Sequence, residues 1–285
     1  MLLVEPDITD RRWQDVRDAL AGAATRFSRL LLDCRTPDRR TIGDWSAADT
    51  AAHVAIVGRL NAGLIAGDLA PLDEPDLDRG WQEANLGGFA RLNALSLAAF
   101  PERSPEVVAN TLLEEVDLLL ARARDVDPRE PRPWLGGARL PAAAHVAHQL
   151  NEILIHGLDI ARALDVPWDI AAHEAALAFD LFLMPMLGGQ SGRLLAGAGG
   201  GDRVTLEFRS RHTTPVVLTS GHGRLRVEPP DGRRLDARIL FDPTAMMLTV
   251  FRRISLTRAI ATGKVRPLGL RPWAAVRYLR GMRSP

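Results

Sequence analysis

Residues 141–164 read PAAAHVAHQLNEILIHGLDIARAL, and the fold turns on how this stretch is read. Val146, Leu150, Ile153, Leu154 and Leu158 recur at helical spacing and mark a buried side. Pro141 suits a helix start, and Asp165-Val-Pro167 forces a stop. His148, Glu152 and His156 stand four residues apart, so they share one stripe of that helix. Part of the stripe faces the interior, where a bare carboxylate is costly and needs a partner. A metal ion supplies one, because an imidazole and a carboxylate one turn apart can reach the same cation, with a third ligand from another helix. His53 is the best donor, since the small residues of Ala51-Ala-His53-Val-Ala let helices approach closely. The expected set is therefore His53, Glu152 and His156, with an open position left for water or a substrate thiolate. The same spacing also fits exposed His–Glu hydrogen-bonded pairs, and spacing alone leaves both readings open.

Working outward, Ile8 to Leu32 reads as an amphipathic helix carrying Trp13, Val16, Leu20, Ala23, Ala24, Phe27, Leu30 and Leu31. Ser46 and Asp49 announce a capped helix from Ala47 to Ala66 that bears His53 on its second turn. A loop rich in Pro, Asp and Glu follows from Asp68 to Asp78. Further helices are expected over Trp81–Phe100 and Pro105–Asp125, the second with Ser104 as cap. Pro128, Pro131 and Pro133 break the pattern before Trp134. These segments make a bundle of four long helices with an additional element or two.

Ile170 to Leu187 reads as one more apolar helix, and the glycine cluster of 188–201 as a flexible connection. Beyond it the apolar period becomes two over Val204–Phe208, Pro215–Thr219, Leu225–Glu228 and Leu235–Phe241. Those are strands of a largely antiparallel sheet. Helices follow from Asp242-Pro243 to about Phe251 and over Ser255–Thr262, then a strand Val265–Leu268 and a helix Pro272–Arg280. The expected fold is a four-helix bundle followed by a small α+β domain with a mainly antiparallel sheet. The boundary is placed between residues 168 and 169, giving domains 1–168 and 169–285.

Composition sets limits on partners. The net charge is +1, so no global field recruits nucleic acid or an anionic membrane, and neither is expected as a partner. The arginine-rich stretch from Arg252 to Arg283 reads as a solvated helix face. Lys264 is the only lysine, a bias that fits a GC-rich bacterial genome. Cys34 stands alone, the N-terminus lacks the order of a signal peptide, and no apolar run reaches membrane length. A soluble cytoplasmic protein, monomeric or a small homo-oligomer, is the expectation.

Three segments together resemble the mycothiol-dependent maleylpyruvate isomerase family, whose N-terminal half is a DinB-like metal bundle. Trp45-Ser-Ala-Ala-Asp49-Thr-Ala-Ala-His53 is similar to the family's tryptophan, aspartate and histidine segment. Asn151-Glu152-Ile-Leu-Ile-His156-Gly-Leu-Asp159 is similar to its Glu-x-x-x-His-x-x-Asp segment. Asp236 to Asp242, leading through Ser255 to Gly263-Lys264, resembles the sterol-carrier-like domain that the family often appends. The resemblance implies a divalent metal, zinc, held by the two histidines and the glutamate, with mycothiol as thiol cosubstrate and a small electrophile as substrate. It implies cis–trans isomerisation through thiolate addition, rotation and elimination, or S-transfer. It also implies arginine anchors for a dicarboxylate, of which Arg91 is the first candidate and a solvated surface arginine the competing reading.

Other polar residues carry paired readings. Asp49 is a partner of a metal-site histidine or serves its helix start, and Asp159 partners a histidine or pairs with Arg162 or Arg12. His148 reads as a supporting group, His145 as a helix-start or surface residue, and His173, His212 and His222 as surface residues. Cys34 reads as an inert thiol. Met246, Met247, Leu248, Val250 and Phe251 could line a lipid tunnel, but an ordinary helix-to-sheet core is the preferred reading, and a non-catalytic carrier is the competing function.

Overall fold

The computed structural model describes residues 8–85, 87–188, 203–221 and 224–282. The readings of Met1–Asp7, of the glycine cluster after 188, of His222 and of Arg283 therefore lie outside the described residues. Four long helices form the bundle: α1 (Asp10–Leu32), α2 (Ala47–Ile65), α5 (Pro105–Ala123) and α6 (Ala142–Leu164). Helices α1 and α2 each pack against both α5 and α6. In α1 the predicted stripe of Trp13, Val16, Leu20, Ala23, Ala24, Phe27 and Leu31 is buried, and Thr9 caps the start by accepting from Arg12 N–H.

Helix α2 opens with the capping box foreseen at Ser46 and Asp49. Every residue of α2 except Asp49 and Arg59 is buried, so this helix runs through the interior rather than along the surface. Its alanines and glycines permit that, because small side chains let three neighbours close in at once.

The expected single helix over Trp81–Phe100 is two. Helix α3 (Pro75–Gln82) already starts inside the predicted loop, and α4 (Phe89–Ala99) follows a break. At the break Asn85 Oδ1 accepts from Gly87 N–H at 3.0 Å, a side-chain bond that competes with the helix where glycine also favours a turn. The two helices are joined by Trp81 Nε1–H donating to Ser96 Oγ at 3.2 Å. A second unforeseen feature is the short hairpin of β1 (Pro131–Pro133) and β2 (Arg139–Pro141), which the proline spacing had hidden.

After α6 the chain stops at Asp165, which takes the left-handed conformation (φ 59°). The next helix comprises α7 (Ala172–Ala178), a widened π segment at Phe179–Leu183 and α8 (Met184–Gly188). Pro185 explains the widening: it has no N–H for the Leu181 carbonyl, and the loosened turn accommodates its ring.

The sheet contains β3 (Val204–Arg209), β4 (Val216–Gly221), β5 (Arg224–Glu228), β6 (Ala237–Phe241) and β7 (Val265–Leu268), in the order β5-β4-β3-β6-β7. All pairs are antiparallel except β3 with β6. Helices α9 (Pro243–Val250), α10 (Leu256–Ala261) and α11 (Pro272–Gly281) complete the chain. Met246, Met247 and Phe251 are buried in a hydrophobic cluster that continues from the bundle into the sheet, as the core reading expected.

Asp180, on the π segment, is buried and accepts from Arg12 at 2.5 Å and from Thr214 N–H at 2.9 Å, while its Oδ1 has no partner. Burial pushes its carboxyl up from 3.8 to about 6 despite the nearby guanidinium. A raised carboxyl contributes stability that is fully present below its unfolded value and is lost as pH rises through about 6. The stability difference between wild type and Asp180→Asn should therefore fall by up to about 3 kcal/mol as pH rises from 4 to 7. Denaturant unfolding at a series of pH values measures it, and a pH-independent difference would contradict the assignment.

Candidate metal centre

Helix α6 places His148, Glu152 and His156 on one stripe, and α2 brings His53 against it. His53 Nε2 stands 3.4 Å from Glu152 Oε2, and His156 Nε2 stands 3.4 Å from the same oxygen. One donor atom from each of His53, Glu152 and His156 lies within 4.8 Å of the others. Their side chains are 8%, 13% and 12% exposed, so the cluster is reachable but largely sheltered. Trp45 walls it, with ring centroids 5.0 Å from His53 and 6.4 Å from His156.

His53 Nε2 is within hydrogen-bond range of Glu152 Oε2, and the same spacing has room for a cation between the donors. Charge-assisted hydrogen bonds between imidazolium and carboxylate close to about 2.7–2.9 Å. Two ligands about 2.05 Å from a tetrahedral cation stand about 3.3 Å apart, close to the spacing seen here. Two imidazoles and a carboxylate are also the donor chemistry of open zinc sites. The residues fit a divalent cation of that size.

The surroundings orient His156 and Glu152. His156 Nδ1–H donates to Asp159 Oδ2 at 3.1 Å, which leaves Nε2 facing Glu152 and His53. On the other side, Glu152 Oε1 faces His148 Nε2 at 3.4 Å. His148 Nδ1 meets the Asn61 amide at 3.2 Å, Asn61 donates to Gln149 Oε1 at 3.0 Å, and Gln149 donates to the Val54 carbonyl at 3.1 Å. His148 thus supports the carboxylate, as expected. Asn61 was missed, although it lies eight residues after His53 on the same face of α2 and helical spacing could have found it.

Electrostatics follow from this packing. Burial raises the Glu152 carboxyl, but hydrogen bonds from His148, His156 and His53 outweigh it and hold the group well below its usual range. Burial lowers His53. For His156 burial also acts downward, yet Asp159 and Glu152 bring it up to about 9.

The structure decides between several paired sequence readings and corrects others. His145 sits at the start of α6, as one of its two readings had it, but not on the surface: it is fully buried, donates Nε2–H to the Pro133 carbonyl at 2.9 Å, and is lowered to about 4 by burial. Asp159 pairs with neither Arg162 nor Arg12. Its partner besides His156 is Arg253, which also removes Arg253 from the solvated face assigned to the C-terminal arginines. Asp49 serves the helix start and pairs with Arg103 at 2.7 Å. His173 and His212 are exposed. Arg91 is exposed on α4, with no hydrogen bond or ion pair among the described residues.

Gly157 shows how closely α6 is packed beside His156. A Cβ there would lie 2.2 Å from Trp168 Cζ2, and the indole cannot swing away freely because its Nε1–H donates to the Leu154 carbonyl at 3.0 Å. Gly157→Ala should cost about 1–3 kcal/mol through overpacking. Thermal unfolding checks this, and an unchanged transition would show that the indole yields without cost.

Comparison with known proteins adds the lineage. A search of curated proteins returned no match. Among solved structures, the crystal structure of the mycothiol-dependent maleylpyruvate isomerase superposes with a TM-score of 0.51 at 12% identity, covering 90% of this chain and 92% of that one. A histidine-to-alanine mutant of that isomerase superposes equally, at 11% identity over 90% and 92% of the two chains. At such identities the likeness establishes the shared fold. The family described as the mycothiol maleylpyruvate isomerase N-terminal domain matches residues 10–161, which cover the four long helices up to the last turn of α6 and all the residues of the cluster. The chain belongs to the mycothiol maleylpyruvate isomerase family, through the N-terminal domain that defines it.

Proposed function

We propose that this chain is a mycothiol-dependent metalloenzyme acting on a small electrophile, with His53, Glu152 and His156 holding one divalent cation, zinc by the chemistry of the donors. The observation that carries the proposal is the convergence of those three donor atoms, from two helices, within 4.8 Å. A bound cation would lower the pKa of the thiol cosubstrate so that thiolate exists at neutral pH. His53 and His156 present their Nε2 atoms, Glu152 supplies the charge, and Asp159 holds the Nδ1 proton of His156. Trp45 limits the approach of bulk water on its side of the cluster.

For maleylpyruvate the reaction is addition of the thiolate to the conjugated double bond, rotation about the resulting single bond, and elimination of the thiol. The thiol is regenerated, so it is catalytic in amount; in S-transfer it would be consumed. Arg91 enters the proposal as a cation for substrate carboxylates, supported by its exposure and its lack of an ion pair among the described residues. Division of the chain into units 1–168 and 169–285 is part of the same proposal. Among the described residues no helix is long and apolar enough to cross a membrane.

The test is an assay of maleylpyruvate with and without mycothiol. Isomerisation that requires the thiol without consuming it supports the isomerase, and stoichiometric loss of thiol supports S-transfer. Absence of any thiol-dependent turnover across a panel of electrophiles would overturn the proposal.

A further inference from the structure

We propose that Arg253, a residue of the C-terminal half, is a positioning residue for the cation site of the helical bundle. It would act through Asp159 on the orientation of His156. This inference rests on the cation-site reading above and extends it to a residue far from the cluster in sequence.

The geometry is a continuous chain. Arg253 Nε donates to Asp159 Oδ1 at 2.9 Å and its Nη2 to Asp159 Oδ2 at 2.5 Å, a two-point pairing of guanidinium and carboxylate. Asp159 Oδ2 also accepts the Nδ1 proton of His156 at 3.1 Å. The Arg253 and Asp159 side chains are only 11% and 8% exposed, so water competes little for either.

Arg253 is itself fixed from several sides. Its Nη1 donates to the Phe251 carbonyl at 2.6 Å, its backbone N–H to the Leu248 carbonyl at 2.7 Å, and its carbonyl accepts from Arg162 at 3.2 Å. Arg252 just before it takes a left-handed conformation (φ 59°), which turns the chain at the end of α9. The segment therefore presents the guanidinium to Asp159 in one pose.

A carboxylate that must orient an imidazole can do so only if it is itself held. Without Arg253, Asp159 keeps a single partner, His156, and is free to rotate toward solvent or toward Arg162. The His156 ring then loses the acceptor that fixes which nitrogen faces the cluster. No other cation among the described residues forms an ion pair with Asp159.

The experiment uses the full chain as wild type, Arg253→Met, Arg253→Lys and Arg266→Ala, with two readouts. Zinc affinity is measured by competition with a chromophoric chelator, and the Nδ1–H of His156 is followed by imidazole 1H–15N NMR in zinc-free protein. Arg253→Met should bind zinc about 10–100-fold more weakly and its Nδ1–H should exchange faster with water. Arg253→Lys, which restores charge but not the two-point geometry, should recover part of the affinity. Arg266→Ala, an exposed arginine on β7 without a bond to Asp159, should match wild type. If Arg253→Met unfolds at a lower temperature while zinc affinity and the Nδ1–H signal stay as in wild type, Arg253 is only a clamp and the proposal fails. If wild type takes up no zinc, the cation reading itself fails, and an unchanged Nδ1–H in Arg253→Met would still overturn the positioning role separately.

Discussion

Glu152→Ala is expected to retain the helical fold and to bind zinc more than about 100-fold more weakly than wild type, beyond the loss typical of a residue that only supports a ligand. The fold should survive because α6 is held by its apolar side, where Val146, Leu150, Ile153 and Leu154 are completely buried, and because alanine is a better helix former than glutamate. The affinity should collapse because Glu152 is the anion that His53, His148 and His156 share, with Oε2 within 3.4 Å of two of them. Glu152→Gln keeps the shape and removes the charge, so it should lose nearly as much. Zinc competition titration, with far-ultraviolet circular dichroism as the folding control, measures both. Affinity close to wild type in either variant would take Glu152 out of the ligand set.

The second large effect is on turnover. His53→Ala should lower thiol-dependent turnover at neutral pH by at least about 30-fold, since an unassisted thiol with pKa near 8.5 is only a few per cent thiolate at pH 7. Lost positioning of the thiol adds to that factor. The variant should also become much less sensitive to a chelator such as EDTA, which ought to inactivate wild type. Raising the assay pH toward 9 should recover part of the loss, because the free thiol then ionises unaided. A variant with full activity and unchanged chelator sensitivity would mean that the chemistry occurs elsewhere.

Much of this architecture could be read from local signals. The stripe of His148, Glu152 and His156 fixed α6 and two of the proposed ligands, because a helix turns spacing into direction. The capping box at Ser46 and Asp49 set the start of α2 and so the turn on which His53 sits. The change of apolar period after residue 203 gave the strands almost to the residue. The failures have physical causes as well. The α3–α4 break depends on a side-chain bond from Asn85, and the hairpin at β1 and β2 depends on pairing across a turn, neither of which leaves a periodic trace. His145 was read as a helix-start or surface residue, and the ring of Trp134, whose centroid lies 5.0 Å away in a T-shaped contact, comes from outside α6, where helical spacing does not show it.

Arg253 is the clearest case of a residue that sequence could not supply. It stands 94 residues from Asp159 and lies among other arginines with the same local character. Only the tertiary fold selects it, by the turn at Arg252 and the packing of α9 beside α7, the helix that follows α6. Arg91 is the reverse. The sequence offered it, and the structure leaves it exposed on α4.

The measurement that bears most directly on the central claim is the metal content of the full chain, isolated without chelator and then titrated with zinc, by mass spectrometry under native conditions. The account predicts about one zinc per chain, tightly held in wild type and absent from Glu152→Ala at the same free zinc concentration. A wild-type chain that stays metal-free throughout the titration, or a Glu152→Ala chain that carries the same zinc, would contradict it.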